Sequence, residues 1–154
     1  MSQVEMVDYR PELARHFTEL NLAWVEKYFV AETLDREVLG DPENNIINRG
    51  GYIFFAVLDE SVAGTFALLK KQEGIYELAK MAVSEKYQGR KIGNQMMECC
   101  ISKAKSLHIK KLILFSNTIL EAAIHLYRKY GFTEVPLGDS EYTRSNIKME
   151  LTIS

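Results

Sequence analysis

Apolar positions along the chain switch between a period near two and a period near 3.6, and the switches mark out its elements. Val4 to Tyr9 reads as a short strand. Pro11 stands where a helix begins, and from Glu12 onward Leu13, Phe17, Leu20, Trp24 and Tyr28 recur every three or four residues, which predicts a long amphipathic helix. Thr33 to Leu39 reads as a short second helix, closed by Gly40 and Pro42. Beyond a Gly50-Gly51 turn the period shortens. Tyr52 to Leu58, Val62 to Leu69 and Ile75 to Val83 are strands separated by the polar turns Asp59-Glu60-Ser61 and Gln72-Glu73-Gly74, an antiparallel meander. Ile92, Met96, Cys99, Cys100, Ala104 and Leu107 then restore helical spacing up to about His108.

Lys111 to Ser116 follows as a strand, and the strand–helix–strand succession predicts that it lies parallel to the strand ending at Val83. Leu120 to Tyr130 is a further helix with Gly131 just past its end. Phe132 to Val135 and Asn146 to Leu151 are final strands around a polar segment, Gly138 to Ser145. The expected fold class is α/β (α+β): a mixed, mostly antiparallel sheet of about six to seven strands flanked by about four helices. No repeat or linker interrupts it, so residues 1–154 are expected to be one domain.

Composition narrows the function. Hydrophobic residues make up 47% and charged residues 26%, the balance of an ordinary soluble globule. A net charge of −2 argues against broad nucleic-acid binding. No apolar run approaches the roughly 18 residues a membrane span needs. The opening MSQVEMVDYR lacks the basic-then-apolar order of a signal peptide, so a cytoplasmic location is expected. Cys99 and Cys100 are neighbours inside a helix, where a disulfide is improbable, and they read as core thiols with no base beside Cys99 to make it a nucleophile. His16, His108 and His125 are scattered without metal-ligand spacing, so no metal is expected.

The candidate chemistry lies between Glu77 and Glu98, ELAKMAVSEKYQGRKIGNQMME. A strand passes through a polar loop with Lys86 and Arg90 into a helix near Lys91. Such a loop presents backbone N–H groups and the positive end of the helix dipole to an anion, above all phosphate. Gly89 and Gly93 let a diphosphate approach the main chain closely. The spacing fits neither a Walker loop, since no Lys-Ser or Lys-Thr follows Gly93, nor a dinucleotide fingerprint, since Met97 stands where a third Gly would. On composition alone an ordinary strand-to-helix turn accounts for the loop equally well.

Gln88-Gly89-Arg90-Lys91-Ile92-Gly93 resembles the acetyl-CoA pyrophosphate signature of the GNAT N-acetyltransferases, Gln/Arg-x-x-Gly-x-Gly/Ala. Leu78 to Val83 is similar to that family's fourth strand. Ala123-Ile124-His125-Leu126-Tyr127-Arg128-Lys129-Tyr130-Gly131-Phe132 resembles its second marker, Ala-x-x-x-Tyr-x-x-x-Gly-Phe. The pattern LNLAWVEKYF, with Asp35 and Pro42 following, is similar to a group of the family found alone or joined to MarR-type domains. Two departures stand out. Lys91 replaces the first Gly of the pair and adds a cation beside the expected phosphates. Leu120 stands where many members carry an Asn, and Asn117 is the candidate to serve instead.

The resemblance implies the GNAT fold over nearly the whole chain, acetyl-CoA as cosubstrate and an amine as acceptor. It implies cofactor contacts from Met81, Ala82 and Val83 on the strand, from Gln88, Gly89, Arg90, Lys91, Ile92, Gly93 and Asn94 in the loop, and from Asn117 and Tyr127. Acetyl transfer needs a base for the amine, a donor for the developing oxyanion and an acid for the leaving thiolate. Glu77 is the candidate base. It is expected on the same strand face as Ala79 and Met81, in apolar surroundings that raise its pKa; the plainer alternative is a glutamate that faces solvent or pairs with Lys80 or a cross-strand cation. The oxyanion donor is expected to be the backbone N–H near Met81 or Ala82.

Tyr127 is the candidate acid by its place in the marker, against a plain core aromatic. For the acceptor cleft the resemblance implies Trp24, Tyr28, Glu32 and Asp35 from the first helices and Tyr142, Arg144 and Asn146 from the late segment, although Trp24 and Tyr28 at helical spacing belong more readily to the core. It also implies a free sheet edge near the C-terminus through which two copies pair. The leading reading is direct transfer from acetyl-CoA to a primary amine of a small molecule within a ternary complex. The alternative is an acyl-CoA-binding sensor with little turnover, which needs neither Glu77 nor Tyr127.

Overall fold

Strand β1 (Glu5–Asp8) leads through a 3-10 turn at Pro11–Leu13 into helix α1 (Ala14–Tyr28), followed by α2 (Thr33–Gly40) and the single turn α3 (Pro42–Asn45). Three long strands come next, β2 (Tyr52–Leu58), β3 (Ser61–Gln72) and β4 (Ile75–Val83). Then come α4 (Ile92–Ser106), β5 (Lys111–Ser116), α5 (Glu121–Lys129), β6 (Thr133–Val135) and β7 (Ile147–Thr152). This computed structural model describes residues 4–29, 33–138 and 144–153. Among these residues, seven strands form one sheet in the order β1-β2-β3-β4-β5-β7-β6. All neighbours are antiparallel except β4 and β5, whose parallel pairing follows from the α4 crossover between them. No described helix is long and apolar enough to cross a membrane.

Both faces of the sheet are covered, and β2 shows why its sequence is an unbroken apolar run, YIFFAVL. Ile53 and Phe55 point into a cluster with Phe17 of α1, Leu39 of α2, Ile46 and Ala67. Phe54 and Ala56 point the other way, into a larger cluster with Phe66, Leu68, Met96, Cys100 and Leu112. Gly51 enters β2 where the main chain is tightly hemmed. A Cβ there would lie 2.8 Å from the Leu68 carbonyl oxygen and 2.9 Å from two atoms of Ile46. Gly51→Ala is therefore expected to cost about 2 kcal/mol, read as a thermal midpoint lower by roughly 4–8 °C.

Two expectations change. The buried stripe of α1 is Phe17, Asn21 and Val25, while Trp24 is half-buried and Tyr28 is 42% exposed. The stripe lies one position away from the one that aromatic spacing suggests, so Trp24 and Tyr28 are not core residues. Second, β4 does not alternate strictly. Thr65 pairs with Ala82 and Ala67 with Ala79, so three steps on β4 oppose two on β3. The extra residue is accommodated at Lys80, which adopts a left-handed conformation (φ 56°). The bulge reverses the phase of the strand. Glu77, opposite Leu69, faces α1 and α2, whereas Met81 packs against the α4 cluster. Met81 therefore does not share a face with Glu77, as simple alternation predicts.

Candidate active site

The site arises where β4 and β5 part. Their parallel pairing runs only over Ile75–Glu77 against Lys111–Ile113. Beyond it β4 bulges at Lys80 and β5 continues to Ser116, so the strands open around a cavity of about 130 Å³. The wedge is closed by α1 on one side and by α5 on the other: Asn21, Trp24 and Val25 line it from α1, and Tyr127 from α5.

Glu77 reaches this cavity and is 2% exposed. Its Oε1 lies 3.4 Å from Nζ of Lys71, a residue in the second irregularity of β3, where Lys70 pairs with Tyr76 and Gln72 with Ile75. Lys71 is thus a cross-strand cation on Glu77. Tyr127 is half-buried, with its ring 6.1 Å from that of Phe132. Burial pushes its phenol up to about 12, so it stays protonated at neutral pH. Burial likewise raises the Cys99 thiol and pushes Cys100 up to about 12. Cys100 is part of the core, while Cys99 is half-buried.

The mouth is crossed by Arg144, whose guanidinium sits over the Phe29 ring at 5.5 Å. Trp24 stands against both Tyr28 (5.4 Å) and Phe29 (6.0 Å), which makes an aromatic wall at the end of α1. Asn117 also lines the cavity. Its Nδ2 donates to the Arg144 carbonyl at 2.7 Å and its Oδ1 accepts from the Ile119 N–H at 3.0 Å, so it ties the β5–α5 turn to the segment before β7. Asn146 makes a parallel clip: its Oδ1 accepts from the Thr118 N–H at 3.0 Å and its Nδ2 donates to the Thr118 hydroxyl at 3.1 Å. Tyr142 and Glu32 lie outside the described residues, as does the side chain of Asp35.

The phosphate loop forms a separate hollow of about 350 Å³ lined by Val83, Tyr87, Gln88, Gly89 and residues 91–94. Gly89 (φ 83°) and Lys91 (φ 58°) are both left-handed, so Lys91 adopts the conformation that glycine favours. Lys91 is the N-cap of α4, and no described side chain caps that helix, which leaves its first-turn amides to a ligand. Ile92 buries its side chain at 2% exposure and contributes only backbone here. Arg90 is exposed and lies over the Tyr87 ring at 5.7 Å.

Asn94 turns its Oδ1 to Lys129 Nζ, 2.8 Å away, which brings a further cation from α5 to this helix start. Between the two hollows lies a groove of about 370 Å³. It shares Val83 and Gln88 with the loop and Trp24 with the cavity, so the three hollows adjoin one another along the sheet.

Comparison with known proteins gives the family and the fold. The family model "Acetyltransferase (GNAT) family" matches residues 12–132. The uncharacterised N-acetyltransferase YvbK of Bacillus subtilis is 29% identical over 104 residues, 66% of this chain and 67% of that protein. Among solved structures, a GNAT-family acetyltransferase of Staphylococcus aureus Mu50 superposes with a TM-score of 0.88 at 21% identity, covering 99% of this chain and 100% of its own. YncA of Salmonella typhimurium, solved with its cofactor acetyl-CoA, gives 0.78 at 17% identity over 99% and 95% of the two chains. With a family model spanning most of its length and a splayed β4–β5 sheet of matching fold, the chain belongs to the GNAT family of acetyltransferases.

Proposed function

We propose that the protein transfers the acetyl group of acetyl-CoA to a primary amine of a small molecule, by direct attack within a ternary complex. The observation that carries this reading is a cavity, opened where β4 leaves β5, that is lined by both Glu77 and Tyr127. A sensor needs the loop but neither of these side chains.

The loop fits a diphosphate through its geometry. Open amides at the start of α4, left-handed Gly89 and Lys91, and the cations Arg90, Lys91 and Lys129 converge there. Bound acetyl-CoA supplies an activated thioester carbonyl, and every other element of the reaction falls to the chain. The free edge of β4 from Met81 to Val83 holds the cosubstrate's extended arm, and a backbone N–H near Met81 or Ala82 donates to the oxyanion. Glu77 receives the proton of the attacking amine. The Tyr127 hydroxyl donates to the departing sulfur. At about 12 its pKa lies well above that of a thiol near 8.5, so this donation stabilises a thiolate more than it completes proton transfer.

Neither cysteine offers a ready thiolate, since both thiols are raised by burial. An acyl-enzyme is therefore not part of the scheme. Initial rates of thiol release, measured while acetyl-CoA and n-butylamine are varied together, are expected to give intersecting double-reciprocal lines. Parallel lines, with acetyl label retained on denatured protein, would contradict direct transfer.

A further inference from the structure

Three polar or charged side chains are buried among the described residues: Asn21, Thr65 and Glu77. Thr65 is internally satisfied, its hydroxyl donating to the Phe54 carbonyl at 2.8 Å. The other two line the same cavity, Asn21 from α1 and Glu77 from β4. Asn21 is 3% exposed and occupies the middle of the Phe17–Asn21–Val25 stripe, where an apolar residue would complete the core. Burying an amide costs free energy unless its polar atoms are used. Its Nδ2 donates to the Phe17 carbonyl one turn back, at 3.0 Å. That bond fixes the side chain by its donor end and leaves the acceptor Oδ1 for the cavity the residue lines.

We propose that Asn21 Oδ1 and the Glu77 carboxylate form a two-acceptor seat for the NH₂ group of the acceptor, so that Asn21 is a substrate-positioning residue and the acceptor a small primary alkylamine. The inference rests on the reading of this cavity as the acceptor site. A neutral primary amine has two N–H donors and one lone pair. With both donors accepted, the lone pair is turned away from Asn21 and Glu77 and is available for attack. A secondary amine or an alcohol has one donor and satisfies only one of the two acceptors.

Among the described residues, the other charged groups around the cavity are Lys71, paired with Glu77, and Lys80 and Arg144 on its lining. The remaining walls are mainly apolar, with Val25, Phe29, Leu39 and Phe115 suited to a short alkyl body. A cavity of roughly 150 Å³ holds benzene, so one of about 130 Å³ has room for the few carbons of n-butylamine.

The test is steady-state acetylation of n-butylamine by the full chain, followed as thiol release from acetyl-CoA. Asn21→Leu keeps the size and improves helix propensity, so the fold is expected to hold. It should raise KM for n-butylamine at least about tenfold, leaving kcat within about threefold and KM for acetyl-CoA unchanged. The wild-type chain should use N-methylbutylamine at least about tenfold less efficiently than n-butylamine, and Asn21→Leu should narrow that preference. Equal KM for n-butylamine in wild type and Asn21→Leu would overturn the role of Asn21 while leaving the acetyltransferase reading intact. Parallel losses in both KM values and thermal midpoint would also overturn it, in favour of a packing role. Binding of acetyl-CoA without any n-butylamine-dependent thiol release by wild type would overturn the acceptor reading itself.

Discussion

Replacing Glu77 with glutamine is expected to lower kcat for amine acetylation at pH 7 about a hundredfold or more, with acetyl-CoA affinity little changed. The substitution keeps the size of the side chain and removes its capacity to take a proton, together with the negative charge facing Lys71; general-base contributions run to roughly 10²–10⁴. Glu77 is 2% exposed at the end of the cavity, so bulk water has limited access to replace it directly. The pH profile separates this role from a structural one. Free alkylamines lose their proton near pH 10, so the variant's rate should climb steadily with pH as solvent deprotonates the amine, while the wild type levels off earlier. Full activity of Glu77→Gln across the pH range would remove Glu77 from the mechanism.

The second large effect concerns the loop. Reversing two charges, Arg90→Glu with Lys91→Glu, is expected to weaken acetyl-CoA binding about a hundredfold, or close to 3 kcal/mol. Each change removes an attraction for the diphosphate and adds a repulsion. Both residues are exposed and neither belongs to the core, so the fold should hold. The loss should shrink as salt rises, because exposed charges are screened over roughly 10 Å at 0.1 M. An unchanged affinity at low salt would mean that the diphosphate lies elsewhere.

Much of this architecture is legible in the sequence because its signals are local. The strand from Tyr52 to Leu58 matches the structure residue for residue, and Ile75 to Val83 does so too, since short polar turns bound them on at least one side. The turn from Gln88 into α4 is legible because its glycines and the helix start are sequence-adjacent. What was hidden depends on long-range pairing. One extra residue at Lys80 changes which side chains accompany Glu77, and no composition signal marks it because Lys is not a typical left-handed residue. Asn21 is a polar residue within the apolar stripe of α1, and no local signal marks its burial, which depends on how α1 packs against β4. Lys71 and Lys129 meet their partners only across strands or between helices, so neither Glu77 nor Asn94 announces them.

The most direct test of the central claim is a calorimetric titration of the protein with acetyl-CoA, with desulfo-CoA and ATP as comparison ligands. Saturable binding of both CoA species, with none of ATP, is the result expected if the loop at Gln88–Asn94 and the free edge of β4 together hold the cosubstrate. No binding of acetyl-CoA at millimolar concentration would contradict the account, because Glu77 and Tyr127 would then have no acyl donor to act on.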